Sequence, residues 1–333
     1  MVIIDSYFVA VVLLFITMIC WGSWANTQKM ATKEWPFQLF YWDYTIGVVL
    51  MSLLFAVTFG SIGEEGRSFI IDLTQGSIND MTSAFIGGVI FNIANLLLVA
   101  AIDIAGMAVA FPIGIGIALV WGVVVNYVAT PVGDPILLFI GVGFVVIAII
   151  LDALAYRKLS TETAKTTKGI LISIIAGIAM GFFYRFVAAS MVTNFADPEI
   201  GKITPYTAVF IFSIGIFISN FLWNTIFMYK PLKGKPVGYT DYFNYGSSKL
   251  HLIGILGGAI WCIGMSFSII ASEQAGFAIS YGLGQGATMI AAAWGVFIWK
   301  EFKDADKSTN RLIWLMFLFF IIGLSLIIIS RLN

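Results

Sequence analysis

Long apolar runs and short polar segments alternate along the whole chain, and the length of the apolar runs predicts membrane-spanning helices. A bilayer core about 30 Å thick is crossed by a helix of about 20 apolar residues. Ten stretches of the 333 residues meet this length. They are 7–29, 37–59, 81–102, 106–128, 135–155, 169–192, 204–228, 250–271, 275–298 and 312–330, called predicted helices 1 to 10 below. The sequence thus predicts an all-α membrane protein with ten transmembrane helices.

An internal repeat divides these ten helices into two groups of five. Residues 87–116 match residues 257–286 without a gap, and ten of the thirty positions are identical. Even an acid recurs at this spacing of 170 residues, because Asp103 aligns with Glu273. Five helices per half is an odd number, so the halves cross the membrane in opposite directions. We predict two inverted five-helix repeats, residues 1–158 and 169–333, in a single membrane domain.

Composition narrows the class of protein further. The chain is 60% hydrophobic and 11% charged, with a net charge of zero. A soluble domain could not bury so much apolar surface, and a neutral chain gives no reason to expect nucleic-acid binding. The sequence has neither a metal-ligand cluster nor the deep serine–histidine or paired-aspartate arrangement of an intramembrane protease. We therefore expect no enzyme, no cofactor and no metal site.

Lysine and arginine are distributed unevenly between the predicted loops, and this sets the orientation. With the N-terminus outside, fourteen lie on the inner side and three on the outer side. The fourteen are Lys29, Lys33, Arg157, Lys158, Lys165, Lys168, Lys230, Lys233, Lys235, Lys249, Lys300, Lys303, Lys307 and Arg311. Basic residues concentrate on the cytoplasmic side of membrane proteins. We predict a multi-pass protein of the inner (cytoplasmic) membrane with both termini outside.

Five stretches carry a family resemblance that hydropathy alone does not require. They are WGSWAN (21–26), YWDY (41–44), ITPYTAVFIFS (203–213), IFMYKPLKGKP (226–236) and EQAGFAISYGLGQGATMIAAAWGVFIWKE (273–301). In this order and spacing they resemble the ureide permease family, within the drug/metabolite transporter superfamily. The Tyr-Thr-Ala and Tyr-Lys-Pro runs are the most specific of these features.

The resemblance implies a fold and a function. It implies ten helices in two inverted repeats, a central cavity between predicted helices 1–4 and 6–9, and peripheral helices 5 and 10. It also implies import of a ureide such as allantoin, or of a uracil-like base, by proton-coupled alternating access. Plant members carry a long loop with a phosphate-binding-like motif between helices 5 and 6. Here that loop spans about 156–168 and has no GxxxxGK[ST] motif, so nucleotide control is not carried over.

Polar and aromatic side chains deep in the predicted helices are the candidates for substrate binding, because polar groups facing lipid are costly. These candidates are Trp21, Trp24, Asn92, Asn95, Tyr184, Arg185, Trp261, Tyr281 and Gln285. Indole rings would stack on a flat heterocycle, and amides would pair with its carbonyl and N–H groups. The alternatives are plain packing for the tryptophans, bonding between helices for the asparagines, and snorkelling to the outer interface for Arg185.

Three acids are the candidates for coupling. Asp43 lies inside predicted helix 2, and it is either a proton-coupling carboxylate or a fixed acceptor for Tyr41 or for a side chain of predicted helix 1. Asp103 and Glu273 occupy equivalent turns, where each is either an N-terminal helix cap or a gate acid at one mouth. His251, the single histidine, stands at a helix start and is interpreted as an interfacial loop residue.

Two other functions remain open from the sequence. The first is a sugar transporter of the glucose/ribose type, because aromatic platforms and amides suit sugars as well. The second is a membrane protein without transport activity, although an inverted repeat and a mid-membrane arginine disfavour it. The expected partners are a small-molecule substrate, protons and the lipid bilayer, with the protein as a monomer or a homodimer.

Overall fold

The computed structural model describes residues 1–31, 35–159, 167–232 and 234–332. Their secondary structure is helical, apart from one isolated bridge between Met191 and Ile203. The helices are α1 (Tyr7–Ser23), α2 (Ala25–Ala31), α3 (Phe37–Val57), α4 (Phe69–Gln75), α5 (Ile78–Ala105), α6 (Met107–Ala129), α7 (Pro135–Leu159), α8 (Thr167–Ser190), α9 (Pro205–Tyr229), α10 (Tyr239–Tyr245), α11 (Ser248–Ala275), α12 (Phe277–Gly284), α13 (Ala287–Ala293) and α14 (Lys307–Ile329). The predicted all-α class is confirmed.

Nine helices in the described part of the chain are long and apolar enough to cross a membrane. They correspond to nine of the ten predicted stretches, and the first of them joins α1 and α2 across a single turn residue, Trp24. Together with the apolar composition, these nine helices make this a multi-pass membrane protein. Four of them begin earlier than predicted, and in α5 and α11 the reason is that Ser77 and Ser247 cap the first turn.

The stretch 275–298, predicted as one helix, is interrupted. It consists of α12, α13 and a five-residue π-helical segment, Trp294–Ile298. At the first break the amide of Gly286 bonds the carbonyl of Leu283, and the amide of Thr288 bonds that of Gln285. These tighter i→i−3 bonds replace the α-helical pattern where weak helix formers cluster. Hydropathy could not show this break, because it does not lower the apolar character of the run.

The two long loops contain short helices that the hydropathy pattern missed. Residues 60–80 include α4, and residues 229–249 include α10. Each has only seven residues, which is far below the length of a membrane crossing. No residue of α10 is buried, so this helix lies on the surface of the molecule.

The two copies of the repeated sequence adopt matching local structures. Helices α5 and α11 both contain 28 residues and begin after equivalent serines. Both end at a glycine with positive φ, which is 78° at Gly106 and 84° at Gly276. A residue with a Cβ atom would be strained in this conformation, so the same residue type stops both helices.

The two copies also pack in matching ways against helices of the opposite half. At Gly88 of α5 an added Cβ would overlap the carbonyl oxygen of Phe212 in α9. At Gly258 of α11 an added Cβ would overlap the carbonyl oxygen of Tyr44 in α3. The backbones thus touch at two equivalent crossings, which only small residues permit.

Both chain ends lie at one end of the helix bundle, here called the terminal face. The side chain of Gln274 donates to the carbonyl of Ile4 at 3.1 Å, and Arg331 Nε donates to the carbonyl of Gln274 at 2.8 Å. The opposite face carries residues 230–232, 234–247 and 299–306. Three of the basic residues used above to predict orientation, Lys33, Lys165 and Lys233, lie outside the described residues.

Charged side chains bind two loops together at the terminal face. Arg67 Nε donates to Asp72 Oδ1 at 2.7 Å, and its terminal nitrogens donate to the carbonyls of Pro198, Glu199 and Lys202. Asp72 is fully buried, and its Oδ2 accepts from both the amide and the hydroxyl of Thr204. The loop after α3 is therefore fixed to the loop after α8.

Candidate functional site

A cavity of about 170 Å³ lies in the helix bundle beside the break between α12 and α13. A single water needs roughly 10–15 Å³ on this measure, so the space is sufficient for a small molecule. Side chains from α1, α5, α6, α8, α11 and α13 line it, whereas none comes from α7 or α14. Five of the predicted substrate-binding residues line the cavity: Trp21, Trp24, Asn95, Trp261 and Gln285.

Aromatic rings form most of the cavity wall. Trp21 and Trp261 are stacked, with ring centroids 6.0 Å apart and planes 13° from parallel. The indole N–H of Trp21 donates to the backbone carbonyl of Trp261 at 3.2 Å, which fixes the orientation of the first ring. Phe91 packs against Trp261 with a centroid distance of 4.4 Å. This wall presents flat apolar surfaces to whatever occupies the cavity.

Three polar side chains interrupt the aromatic wall: Asn95, Gln285 and Thr288. The Asn95 amide donates to the Tyr41 hydroxyl at 3.1 Å, and the Thr288 hydroxyl donates to the backbone carbonyl of Gln285 at 2.9 Å. The Gln285 side chain is only 9% exposed, and it makes no hydrogen bond within the described part of the chain. Its amide therefore offers a free donor and a free acceptor to a ligand.

Three further predicted residues lie outside the cavity and make hydrogen bonds between helices, although the Asn92 Oδ1 atom is buried without a partner among the described residues. Asn92 donates to the carbonyl of Ile216 at 3.2 Å and to the Ser219 hydroxyl at 2.9 Å. The Tyr184 hydroxyl lies 3.0 Å from the Ser268 hydroxyl. The Tyr281 hydroxyl contacts the carbonyls of two other helices, at Ala118 and Met180. The contacts of Asn92 agree with the alternative that the asparagines bond between helices, and a role of these three residues in substrate binding stays a prediction.

Arg185 lies near the terminal end of α8 and does not line the cavity. Five residues separate it from the last residue of the helix, Ser190, which is about 8 Å along the axis at 1.5 Å per residue. The side chain is half-buried and makes no hydrogen bond or ion pair with a described residue. A role in transport stays a prediction.

Asp43 lies away from the cavity, near the opposite face, and it is 2% exposed. Its Oδ1 accepts a hydrogen bond from the Tyr242 hydroxyl at 2.5 Å, and its Oδ2 lies 2.8 Å from Nδ1 of His251. The suggested acceptor roles toward Tyr41 or toward predicted helix 1 are wrong, because the partners come from α10 and α11.

The Tyr242 side chain brings the short helix α10 onto Asp43. Burial raises the pKa of the Tyr242 hydroxyl above its ordinary value, and the neighbouring Asp43 carboxylate raises it further. The hydroxyl therefore remains protonated and serves as a donor to Asp43. Trp35 packs against Tyr242 at 5.5 Å and meets His251 edge-on at 4.9 Å.

The paired acids Asp103 and Glu273 do not have matching environments. Glu273 Oε1 accepts from the backbone amide of Phe195 at 2.6 Å, and Oε2 is buried without a partner among the described residues. The predicted cap of predicted helix 9 is thus wrong for Glu273, which instead fixes the loop after α8. Asp103 is exposed and borders a small groove together with Gln38 and Phe227. The suggestion of gate acids stays a prediction.

The comparison with protein families decides where this chain belongs. The ureide permease family model matches residues 40–168 and 155–330. The chain belongs to the ureide permease family. Ureide permease 2 of Arabidopsis thaliana is 23% identical over 99% of both chains, and ureide permease 1 of the same plant is 24% identical over 99% of both. A probable ureide permease A3 of Vigna unguiculata is 22% identical over 90% of this chain and 97% of that one.

Family membership makes this chain a membrane permease with a small-molecule substrate, which agrees with the expectation of a transporter rather than an enzyme. The relatives named above are described as ureide permeases, so the comparisons give no support to the sugar alternative. One solved crystal structure, whose description names no function, shares the fold. It covers 98% of this chain and 99% of its own with a TM-score of 0.55 and 12% identity.

Several residues of these sites were missed as functional candidates, and four of them illustrate why. Thr288 and Phe111 line the cavity, and Tyr242 and His251 contact Asp43. Thr288 lies three residues beyond Gln285, so the helical spacing of polar residues could have found it. The partners of Asp43 are about 200 residues distant along the chain, and no local pattern relates them.

Proposed function

We propose that this protein is a secondary transporter that carries a small polar heterocycle, either a ureide such as allantoin or a uracil-like base. The observation that carries this proposal is the Gln285 amide, which is buried in an aromatic cavity without a hydrogen-bond partner among the described residues. The uracil ring and the hydantoin ring of allantoin are flat, and both compounds display alternating carbonyl and N–H groups. An amide pairs with both groups at once, and indole faces stack on the ring.

The position of the cavity also supports transport. Substrate sites of many transporters lie where membrane helices are interrupted, because the backbone there can line a cavity. Here the interruption between α12 and α13 adjoins Gln285, and the turn at Trp24 adjoins the other wall. Alternating access would expose this one cavity to the two sides in turn.

We infer that α12, α13 and the π-helical segment together form a tenth crossing. Residues 277–298 number 22, which at 1.5 Å per residue is about 33 Å and matches the bilayer core. Ten crossings agree with chain ends that lie at one face. The matching ends of α5 and α11 and the matching glycine crossings support two inverted repeats, residues 1–158 and 169–333.

Proton coupling through Asp43 completes the proposal. A buried carboxylate with a titratable neighbour can gain and lose a proton in each cycle. Asp103 and Glu273 are the alternative proton carriers, one near each mouth of the cavity. The orientation with both termini outside, the inner membrane as the location and a monomeric or homodimeric state belong to the same proposal.

Uptake into proteoliposomes tests the function directly. We expect labelled allantoin or uracil to accumulate when a pH gradient is imposed, and the same compounds to raise the melting temperature of the purified protein. Glucose and ribose serve as control ligands in both assays. Stabilisation by the sugars alone, or uptake that ignores the gradient, would contradict the proposal on substrate or on coupling respectively.

A further inference from the structure

Three side chains from three segments meet at the opposite face, away from the substrate cavity. Asp43 belongs to α3, Tyr242 to α10 and His251 to the first turn of α11. The Asp43 carboxylate is enclosed, whereas 27% of the His251 side chain is exposed. Within the described residues, Tyr242 and His251 are the titratable groups that hydrogen-bond the Asp43 carboxylate.

The hydrogen bonds permit only certain arrangements of protons. Tyr242 donates to Oδ1, so Oδ2 is the carboxylate oxygen that faces the imidazole. When Asp43 is protonated, Oδ2–H donates to a bare Nδ1, and the ring proton lies on Nε2. When Asp43 is ionised, Nδ1–H donates to Oδ2. The two groups therefore share this bond in both arrangements.

We propose that Asp43 and His251 together form the proton site of this transporter, with Tyr242 as the residue that positions Asp43. This inference rests on the proposed transport function and names the group that exchanges the proton with water. The proton leaves Oδ2 of Asp43 and is taken up by Nδ1 of His251. The imidazolium then releases its other proton from Nε2 to water, and Nδ1–H remains bonded to the Asp43 carboxylate.

Helix α10 covers this site only in part, because 27% of the His251 side chain stays exposed to water. Gly246, which directly follows α10, packs so closely on Nε2 of His251 that a Cβ atom at this position would overlap the ring. The Tyr242 ring lies edge-on to the imidazole, with centroids 4.8 Å apart. Phe243 and Tyr245 on the same helix are 75% and 68% exposed. Tyrosine side chains favour the bilayer interface, so we expect α10 to rest between the headgroups and the proton site.

The proton site and the substrate cavity share two helices. Tyr44 follows Asp43 on α3, and its ring contacts the cavity residue Trp24 at 4.9 Å. Trp261 of the cavity stands ten residues beyond His251 on α11, which is about 15 Å along the helix. If the packing of α3 against α11 changes at the proton site, both helices therefore move the aromatic side chains of the cavity wall as well.

The imidazole can be observed directly, because His251 is the single histidine of the chain. Protein labelled with nitrogen-15 histidine gives two ring signals, and their chemical shifts show which nitrogen carries the proton. We expect these signals to follow pH differently in the wild type and in Asp43→Asn, since the amide cannot lose a proton. Signals that follow pH identically in both proteins would overturn the inference, whether or not the transport proposal holds.

Transport gives the second readout. His251→Gln keeps a polar side chain that cannot titrate, and Tyr242→Phe removes only the hydroxyl. Tyr245→Phe is the matched control on the exposed side of α10. We expect His251→Gln to bind allantoin or uracil and to exchange it across the membrane, yet to lose gradient-driven accumulation. We expect Tyr242→Phe to shift the pH profile of uptake, whereas the control leaves it unchanged.

Two results separate the two proposals. Normal gradient-driven accumulation by His251→Gln would overturn the proton site while leaving the transport function intact. Absence of binding and uptake in the wild type would contradict the transport function, and the nitrogen-15 experiment would still decide whether Asp43 and His251 share a proton.

Discussion

Gly258 lies with its Cα directly against the carbonyl of Tyr44, at the crossing of α11 and α3. Its repeat partner Gly88 makes the same contact with the carbonyl of Phe212 in α9. Because the contact is made by backbone on both sides, no side chain can rotate away to make room. The two crossings are thus the points at which each half of the sequence is held against the other.

Substitution at these crossings should destabilise the protein. We expect Gly258→Ala and Gly88→Ala each to cost about 1–3 kcal/mol through overpacking, measured as a lower melting temperature in detergent. Gly143→Ala is the matched control, because a Cβ there meets no atom within 4 Å. Equal melting temperatures for the three variants would show that the helices can separate without cost.

Gln285 should contribute to substrate affinity. We expect Gln285→Ala to weaken binding of allantoin or uracil about tenfold, which is about 1.4 kcal/mol and the size of one hydrogen bond. Isothermal titration with purified protein measures this change. Gln28→Ala, on α2 and outside the cavity lining, is the control that should bind normally. Unchanged affinity in Gln285→Ala would remove this residue from the site.

Variants of Arg185 test whether residues outside the cavity contribute to transport. A half-buried guanidinium without a partner among the described residues needs water or substrate, so we expect Arg185→Ala to reduce uptake. Arg185→Lys keeps the charge but loses the planar donor fork, and uptake should fall in this variant as well. Normal uptake by both variants at normal expression would identify Arg185 as a residue that snorkels to the interface.

The orientation can be determined by labelling single cysteines. Ser6 lies at the terminal face and Lys235 in the loop after α9, and both are exposed. In a background without Cys20 and Cys262, a membrane-impermeant maleimide applied to whole cells should label Ser6→Cys and spare Lys235→Cys. The reverse pattern would place both termini inside.

The N-cap of α14 should respond to acid. Hydrogen bonds from the hydroxyl and the amide of Thr309 lower the pKa of Asp306 to about 2, whereas an unfolded aspartate has a pKa of about 3.9. A lowered pKa means that the cap is fully formed above pH 3.9 and is lost as the pH falls through about 2. Hydrogen exchange at the Thr309 amide should accelerate in that window. Asp306→Asn, which keeps a capping oxygen, should remove this dependence.

The fold was predictable from the sequence where the length and the apolar character of a segment decide its structure. Nine of the ten predicted stretches became helices that can cross a membrane, because length and apolar character are local properties. The break at Gln285 was missed because glycines inside an apolar run do not change its hydropathy. The short helix α10 was missed because its register depends on Tyr242 reaching Asp43, which lies 199 residues earlier in the chain.

The candidate sites were predictable in residue type but only partly in position. Five of nine predicted binding residues line the cavity, and each of the five is aromatic or an amide. Asn92, Tyr184 and Tyr281 have the same chemistry, but they face neighbouring helices. Sequence spacing gives the depth of a residue along a helix, whereas its direction depends on how that helix is rotated within the bundle.

Arg67 determines how the terminal face unfolds. One guanidinium serves the Asp72 carboxylate and three backbone carbonyls of the second loop, and no other side chain could replace its fixed fork. Once it is withdrawn, the carbonyls of Pro198 and Glu199 lose this donor together, and Asp72 and the carbonyl of Lys202 keep only the weaker hold of Gln75 and Thr204. The terminal face should therefore unfold within a narrow temperature range. Proteases should begin to cleave the two loops and the neighbouring chain ends at the same temperature.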